Sequence, residues 1–382
     1  MKVMILGSGL VGSAIALDLA QDSGFDVTIV DINSEVLDFM SNQHNISGLR
    51  ADLSDKHILK DLVAQADIVV GAVPGYMGYE TLKSVIEAGK NIVDISFFPE
   101  DPFRLDQLAK QRCVVAIMDC GVAPGSSNVL FGYVDSLLDK TTGFNCYVGG
   151  LPKIRHKPFE YKAVFSPIDV IEEYIRPARF IENGQLVTKP ALTEPELIDF
   201  PGIGTLEAFN TDGLRTLMKT IPVPNMKEKT LRYPGHIEIM RLFRDTGFFD
   251  KTPIEVNEHQ IRPVDLTAKI LFPKWHLEPG DEDFTVLRVD IDGIKAGKQL
   301  RYTYMMFDQF DKQTNTTSMA RTTGYTCSVM VRLVAEGKYK RVGISPPEYI
   351  GQDLACYEEL MAGLAQRNIF FEEKIEEIPQ SV

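Results

Sequence analysis

An α/β fold is predicted: a doubly wound parallel sheet followed by a second α+β domain with a mixed sheet. Three observations lead there. Residues 2–31, KVMILGSGLVGSAIALDLAQDSGFDVTIVD, run in the order strand, glycine turn, helix, strand, acid. Short apolar runs then alternate with helix-period stretches as far as residue 118, the pattern of βαβ units. Beyond a turn-rich break at 121–125 the apolar runs lengthen and are separated by Gly and Pro, as antiparallel strands are.

Val3, Met4, Ile5 and Leu6 form the first strand, and Gly7-Ser8-Gly9-Leu10-Val11-Gly12 turns the chain out of it. Ala14, Ile15, Leu17 and Leu19 give a helical apolar stripe, and the run 27–30 a second strand that ends on Asp31. A helix over 36–40, a short strand and turn over 49–52, and a helix over 59–65 follow. A buried parallel strand over 67–73 stops at Pro74-Gly75-Tyr76. Next come a helix over 79–87 closed by Gly89, a strand over 91–95, a helix over 102–111 and a strand over 114–118. This Rossmann-type sheet is expected to occupy 1–122. The second domain, 123–335, begins with a helix over 129–138. It contains an antiparallel pair over 284–291 and 300–307, joined through 293–297, and it ends in a helix running from about 319 to about 336. A tail over 336–382, helical at 353–367, is expected to pack back on the first domain. The crevice between the domains is the expected reaction site, because ligands of open α/β sheets sit beyond the strand C-termini.

The bulk properties exclude several classes. A formal net charge of −13 over 382 residues opposes nucleic acid or an anionic membrane as partner. No apolar run approaches the roughly 20 residues of a membrane span, and the N-terminus enters a strand with no signal peptide. Five scattered cysteines without CxxC spacing read as reduced thiols of a cytoplasmic protein. Six scattered histidines without HxxxH or HExxH spacing give no metal site.

The first thirty residues carry a specific chemistry. Gly7 permits a sharp turn, Gly9 lets a pyrophosphate approach the backbone, and Gly12 lets the helix sit close to the strand. The helix N-terminus, with Leu10 and Val11, offers N–H groups and a partial positive charge to phosphate. Asp31, nineteen residues past Gly12, is placed to accept ribose hydroxyls. A carboxylate there repels a 2′-phosphate, so NAD is expected as cofactor, with NADP possible. Asp52 is a candidate for adenine, or the acid of a surface turn. Val73, Pro74 and Ser96 follow strand ends and are candidates to line the nicotinamide ribose, or are plain strand-to-helix turns.

Five segments occur in a telling order: Gly121-Val-Ala-Pro-Gly, Tyr147-Val-Gly-Gly-Leu-Pro, Gly204-Thr-Leu-Glu-Ala-Phe, Tyr233-Pro-Gly-His and Met319-Ala-Arg-Thr-Thr-Gly-Tyr-Thr. With the glycine turn they resemble the saccharopine dehydrogenase family over nearly the whole chain, to about residue 347. The likeness is first to its L-lysine 6-dehydrogenase branch and next to its glutamate-forming saccharopine reductases. The resemblance implies a homo-oligomer, a homodimer or larger, that oxidises a carbon–nitrogen bond of an amino-acid substrate with a nicotinamide cofactor. Arg215 stands where the lysine branch carries a small polar residue, which fits a substrate with an extra carboxylate. Asp31 favours NAD where the saccharopine reductases prefer NADP. The two clues pull apart.

Candidates for the chemistry follow. Asp94 and Asp119, at strand C-termini, could bind an ammonium or act as base once partly desolvated, or could cap the turns they enter. His236 titrates in the right range for a base when unperturbed, or is a structural histidine. Arg215, Arg232 and Arg321 suit a carboxylate because the guanidinium fork pairs both oxygens, or pair with structural acids. Glu207 and Tyr161 lie in or just after family-like segments as further substrate contacts. The rival from another class is a non-catalytic NAD-binding sensor or assembly protein.

Overall fold

The computed structural model describes residues 1–44, 46–278 and 280–379. The chain divides into two compact units, one of Met1–Leu137 with Ala320–Phe370, the other of Leu138–Met319 with the chain from Phe371 onward.

The first unit is the expected doubly wound sheet. Its strands are β1 (Lys2–Leu6), β2 (Asp26–Asp31), β3 (Ser47–Arg50), β4 (Ile68–Gly71), β5 (Asn91–Asp94) and β6 (Val115–Ile117). They lie in the order β6-β5-β4-β1-β2-β3, and every pairing is parallel. Helices cover both faces, which is why β4 and β6 are buried at every residue. Several helices begin at acids or amides that accept from their first N–H groups, among them those capped by Asn33, Asp55, Asp101 and, far along the chain, Asp353. A seventh strand, Gly343–Ser345, joins β6 in parallel after the chain has left and returned. Asp106 Oδ1 accepts the Ile344 N–H at 3.0 Å and ties it in place.

The returning segment is locked to the first helix, Leu10–Leu19, through Asp18, which is 4% exposed. Asp18 accepts from Arg332 Nη1 at 2.6 Å, from Arg367 Nε at 2.6 Å and from the Ser328 hydroxyl. The helix Ser318–Ala335 therefore lies almost wholly in the first unit, as does Ser126–Leu137. This corrects the expected division at 123–335 and 336–382. Within the first unit the helix meets Val11, Ala14 and Ile15 at Gly324, and Asp18 through Ser328 and Arg332.

The second unit is built on a mixed sheet in the order Glu196–Phe200, Gly204–Asn210, Asn225–Arg232, Lys140–Pro152, Asp283–Lys295, Lys298–Gln309, Glu372–Glu377. Only the pairing of Asn225–Arg232 with Lys140–Pro152 is parallel along this path. The predicted antiparallel pair is present and longer than expected, turning at Ala296 and Gly297, both at positive φ. The tail is not helical throughout: Glu372–Glu377 is an edge strand paired to Leu300–Met305. Helices Pro167–Ile175, His236–Asp245 and Pro263–Trp275 contribute Tyr174, Ile237, Met240, Leu271 and Trp275 to one core with Leu151, Phe209 and Val286 of the sheet.

Candidate active site

Two glycines of the first strand–helix corner are required by the protein's own packing, and one is not. Gly7 follows β1 at φ +113°, and a Cβ there would collide with the Ala72 carbonyl. A Cβ on Gly12 would strike the Gly7 carbonyl, so the helix lies hard against the turn. A Cβ on Gly9 would meet nothing within 4 Å. Gly9 is also the N-cap, with no side chain to offer, and the first turn carries no acid. The first N–H groups of a helix have no partner inside it, so donors and a partial positive charge face open space. Leu10, half exposed, and Val11 supply the first helical positions.

Asp31 closes β2. Its Oδ2 accepts the Ser8 N–H at 2.7 Å and its Oδ1 the Asn33 N–H at 3.0 Å. Each carboxylate oxygen keeps lone-pair capacity, so the acid is fixed in place and still able to accept two hydroxyls. Open space over Gly9, an uncapped helix start and an anchored acid fit a dinucleotide. Val73 and Pro74 follow β4, which pairs directly with β1 where the strand order reverses. The Val73 side chain is 6% exposed, in the core, so its backbone is what it can present to a ligand. Asp52 is exposed. Its carboxyl accepts from the Ser54 hydroxyl at 2.6 Å and the Ser54 N–H at 2.9 Å, and these bonds hold it below the usual carboxylate range. It behaves as the acid of a surface turn.

Asp94, Ser96 and Asp119 stand at the C-terminal ends of β5 and β6. Asp94 is fully buried, accepts from the Ser96 N–H at 2.8 Å and the Ser96 hydroxyl at 3.3 Å, and fills the space a Gly71 Cβ would need. It braces its own turn. Asp119 is 2% exposed and sits in the left-handed region at φ 58°. Such a backbone costs on the order of 1–3 kcal/mol and gathers at functional positions. Arg321 lies on Ser318–Ala335 in the first unit, donates through Nη2 to the Arg367 carbonyl at 2.9 Å and covers the Tyr325 ring. Its guanidinium fastens the C-terminal segment.

In the second unit His236, 2% exposed, is held at both ring nitrogens. The Phe159 carbonyl lies 2.8 Å from Nδ1, and the Tyr174 hydroxyl 2.9 Å from Nε2. A carbonyl only accepts, so Nδ1 carries the proton and Nε2 accepts from Tyr174. The Tyr174 oxygen accepts in turn from Arg232 Nε at 3.2 Å, and Arg232 Nη2 reaches Glu173 at 2.8 Å. Burial, and then the Arg232 charge, drive the His236 pKa down to about 3. A saturated, neutral imidazole is a buttress and not a base near neutrality, which corrects the expectation for this residue. Tyr161 lies under Arg232, whose guanidinium carbon is 4.6 Å from the ring centroid. Burial holds its hydroxyl well above the usual phenol range, with Arg232 opposing.

Glu207 Oε2 accepts the Gly235 N–H at 3.0 Å and so caps the helix His236–Asp245. Arg215 is 8% exposed at φ 47°. Nearby Asp212 takes Arg179 as a fork, Nε and Nη2 each at 2.8 Å. Burial and then the positive charge of Arg215 push Arg176 downward, so these two guanidinium groups lie close enough to repel. Sequence reasoning missed Arg176, Arg179, Tyr174, Glu173 and Glu228. A signal was available for the last: Glu228, Thr230 and Arg232 recur at every second position of one strand, a polar row on one face.

The profile of the saccharopine dehydrogenase NADP binding domain matches residues 3–117, and that of the saccharopine dehydrogenase C-terminal domain matches residues 121–369. The chain is 22% identical to a saccharopine dehydrogenase [NADP(+), L-glutamate-forming] of Schizosaccharomyces pombe, covering 98% of this chain and 99% of that one. It is 28% identical to the enzyme of the same name from Pyricularia oryzae over 71% of this chain and 63% of the other. With the mitochondrial alpha-aminoadipic semialdehyde synthase of Mus musculus it shares 25% identity, and the match spans only 30% of that protein. An apo saccharopine dehydrogenase (L-Glu forming) of Saccharomyces cerevisiae has the same fold, with a TM-score of 0.79 at 18% identity over 98% of this chain and 99% of that chain. On these matches and the two-unit fold, the chain belongs to the saccharopine dehydrogenase family.

Proposed function

We propose that this protein is a nicotinamide-dependent oxidoreductase acting on the CH–NH group of an amino acid, of the saccharopine or L-lysine 6-dehydrogenase type. The observation that carries the reading is the corner at Gly9, left open by the fold, beside an Asp31 already tied to the glycine turn. Gly9, Leu10 and Val11 hold the pyrophosphate through backbone N–H groups. Asp31 accepts the ribose hydroxyls and disfavours a 2′-phosphate, so NAD is preferred although the matched profile and relatives are named for NADP. Val73, Pro74 and Ser96 line the nicotinamide end. When bound, the nicotinamide ring accepts a hydride from the substrate carbon.

The chain's own residues must remove a proton and hold a carboxylate. A substrate ammonium loses a proton before its C–H bond can break, and Asp119 is the proposed acceptor. Arg215, with the Arg176 guanidinium close enough to repel it, holds substrate carboxylate. That clustering favours a substrate with more than one carboxylate, so saccharopine is placed ahead of lysine. A homo-oligomer in a reducing compartment completes the reading, and cysteines without disulfides among the described residues are consistent with it. The test is NADH or NADPH formation at 340 nm with L-saccharopine and with L-lysine, each with NAD and NADP. Turnover with saccharopine and NAD supports the reading, and silence in all four combinations removes it.

A further inference from the structure

Glu228 has no place in the reading above, yet it is one of the most enclosed acids of the second unit, 6% exposed. Its Oε2 accepts the Thr211 hydroxyl at 2.6 Å and the Gly213 N–H at 3.1 Å. The Thr211 hydroxyl also lies 3.0 Å from the Thr230 hydroxyl, and the Thr211 N–H reaches the Glu228 carbonyl at 3.4 Å. A Cβ on Gly213 would overlap the Glu228 carboxyl. The start of the loop 211–216 is therefore tied at two residues to one carboxyl group. The same loop carries Asp212, forked to Arg179, and Arg215 in its left-handed conformation. An arginine stays there only where its surroundings over-determine the backbone.

We propose that Glu228 is a positioning residue: by holding Thr211 and Gly213 it sets the backbone that presents Arg215, and so the place where the guanidinium meets a substrate carboxylate. This rests on the reading of Arg215 as that anchor. The charged groups around Glu228 are Glu173 from helix Pro167–Ile175, bonded to Arg232 of Glu228's own strand, and Asp212 from the loop itself, forked to Arg179. Burial, with these neighbours adding to it against the Thr211 and Gly213 bonds, pushes the Glu228 carboxyl up to about 8. Ionisation leaves a desolvated carboxylate in an enclosure whose two neighbouring acids are already paired to Arg232 and Arg179, so the charge is met by drawing in water, which loosens the loop.

The test is hydrogen exchange of the peptide covering 211–216 in the whole chain, read by mass spectrometry and corrected for intrinsic rates, from about pH 6.5 to about pH 9. Wild type is expected to lose protection roughly threefold or more across that interval, and Glu228→Gln, which keeps an acceptor and cannot ionise, to lose none. With saccharopine, KM should rise over the same interval in wild type more than kcat changes, and should stay level in Glu228→Gln. Glu228→Ala should raise KM at both ends; should it fail to fold, the Gln variant decides alone. A pH profile for Glu228→Gln that matches wild type overturns the proposal. Arg215→Lys separates the two claims. An unmoved KM there defeats the anchor reading, and a raised KM with an unaltered Glu228→Gln profile defeats only the role of Glu228.

Discussion

Asp31 Oδ2 accepts the Ser8 N–H at 2.7 Å, so the acid that ends the second strand is fastened to the turn that follows the first. The groups proposed to hold phosphate and ribose are thereby one rigid object, and on that reading nucleotide binding need not order them. Asp31→Ala is expected to weaken NADH binding by about tenfold to a hundredfold, the worth of hydrogen bonds to a charged acceptor at about 1.5–3 kcal/mol. Calorimetric titration checks it.

Cofactor choice can be redirected beside Asp31, but not through Asn33. Asn33 Oδ1 accepts from Glu35 N–H at 3.2 Å and caps the second helix, so its loss costs about 1 kcal/mol. Ile32 is 63% exposed. Asp31→Ser with Ile32→Arg is expected to invert the NAD:NADP preference, because repulsion goes and a phosphate partner arrives. Relative kcat/KM for the two cofactors reads it.

The three glycines of the turn should separate into two classes. Gly12→Ala forces a Cβ onto the Gly7 carbonyl and is expected to lower the melting temperature of the first unit's transition. Gly9→Ala meets no protein atom within 4 Å, so the melting temperature should hold while nucleotide binding falls about tenfold or more. Thermal scans with and without NADH distinguish them.

Asp18 should be a site of large structural loss. Asp18→Asn removes the carboxylate paired with Arg367 and one of the two paired with Arg332, which keeps Asp22; both guanidinium groups are largely buried. Breaking a buried pair in this way costs about 3–5 kcal/mol, seen as an earlier urea transition of the first unit.

Two buried groups tilt stability with pH in opposite directions. His236 has its folded pKa lowered to about 3 from 6.5. The unfolded chain therefore binds the extra proton, and stability is full above pH 6.5 and falls as pH drops from there toward 3. Glu228 has its folded pKa raised to about 8 from 4.5. Here the folded chain keeps the proton, so stability is full below pH 4.5 and is lost as pH rises toward 8. Glu228→Gln is expected to remove the alkaline decline and leave the acid one, as urea midpoints across pH 5 to 9 would record.

The strand–helix corner proposed for the cofactor was legible as structure because everything that defines it is local: a strand, a six-residue turn, a helix and an acid within residues 2–31. The parallel order of the sheet followed from alternation. Arg321 was misplaced because its helix returns to the first unit through Asp18, a contact across about three hundred residues of chain that no periodicity announces. Strand Glu372–Glu377, sequence EEKIEE, has no apolar alternation and is exposed at every residue; its pairing with Leu300–Met305 defines it. His236 looked titratable because its partners, Phe159 and Tyr174, lie 77 and 62 residues away.

The most direct measurement is calorimetric titration of the folded chain with NADH and with NADPH, alongside Gly9→Ala. Saturable uptake with NADH the tighter ligand, sharply weakened in Gly9→Ala while its melting temperature is unchanged, is the predicted result. Folded protein that takes up neither nucleotide, or a Gly9→Ala variant that binds like wild type, would contradict a dinucleotide seated at this corner.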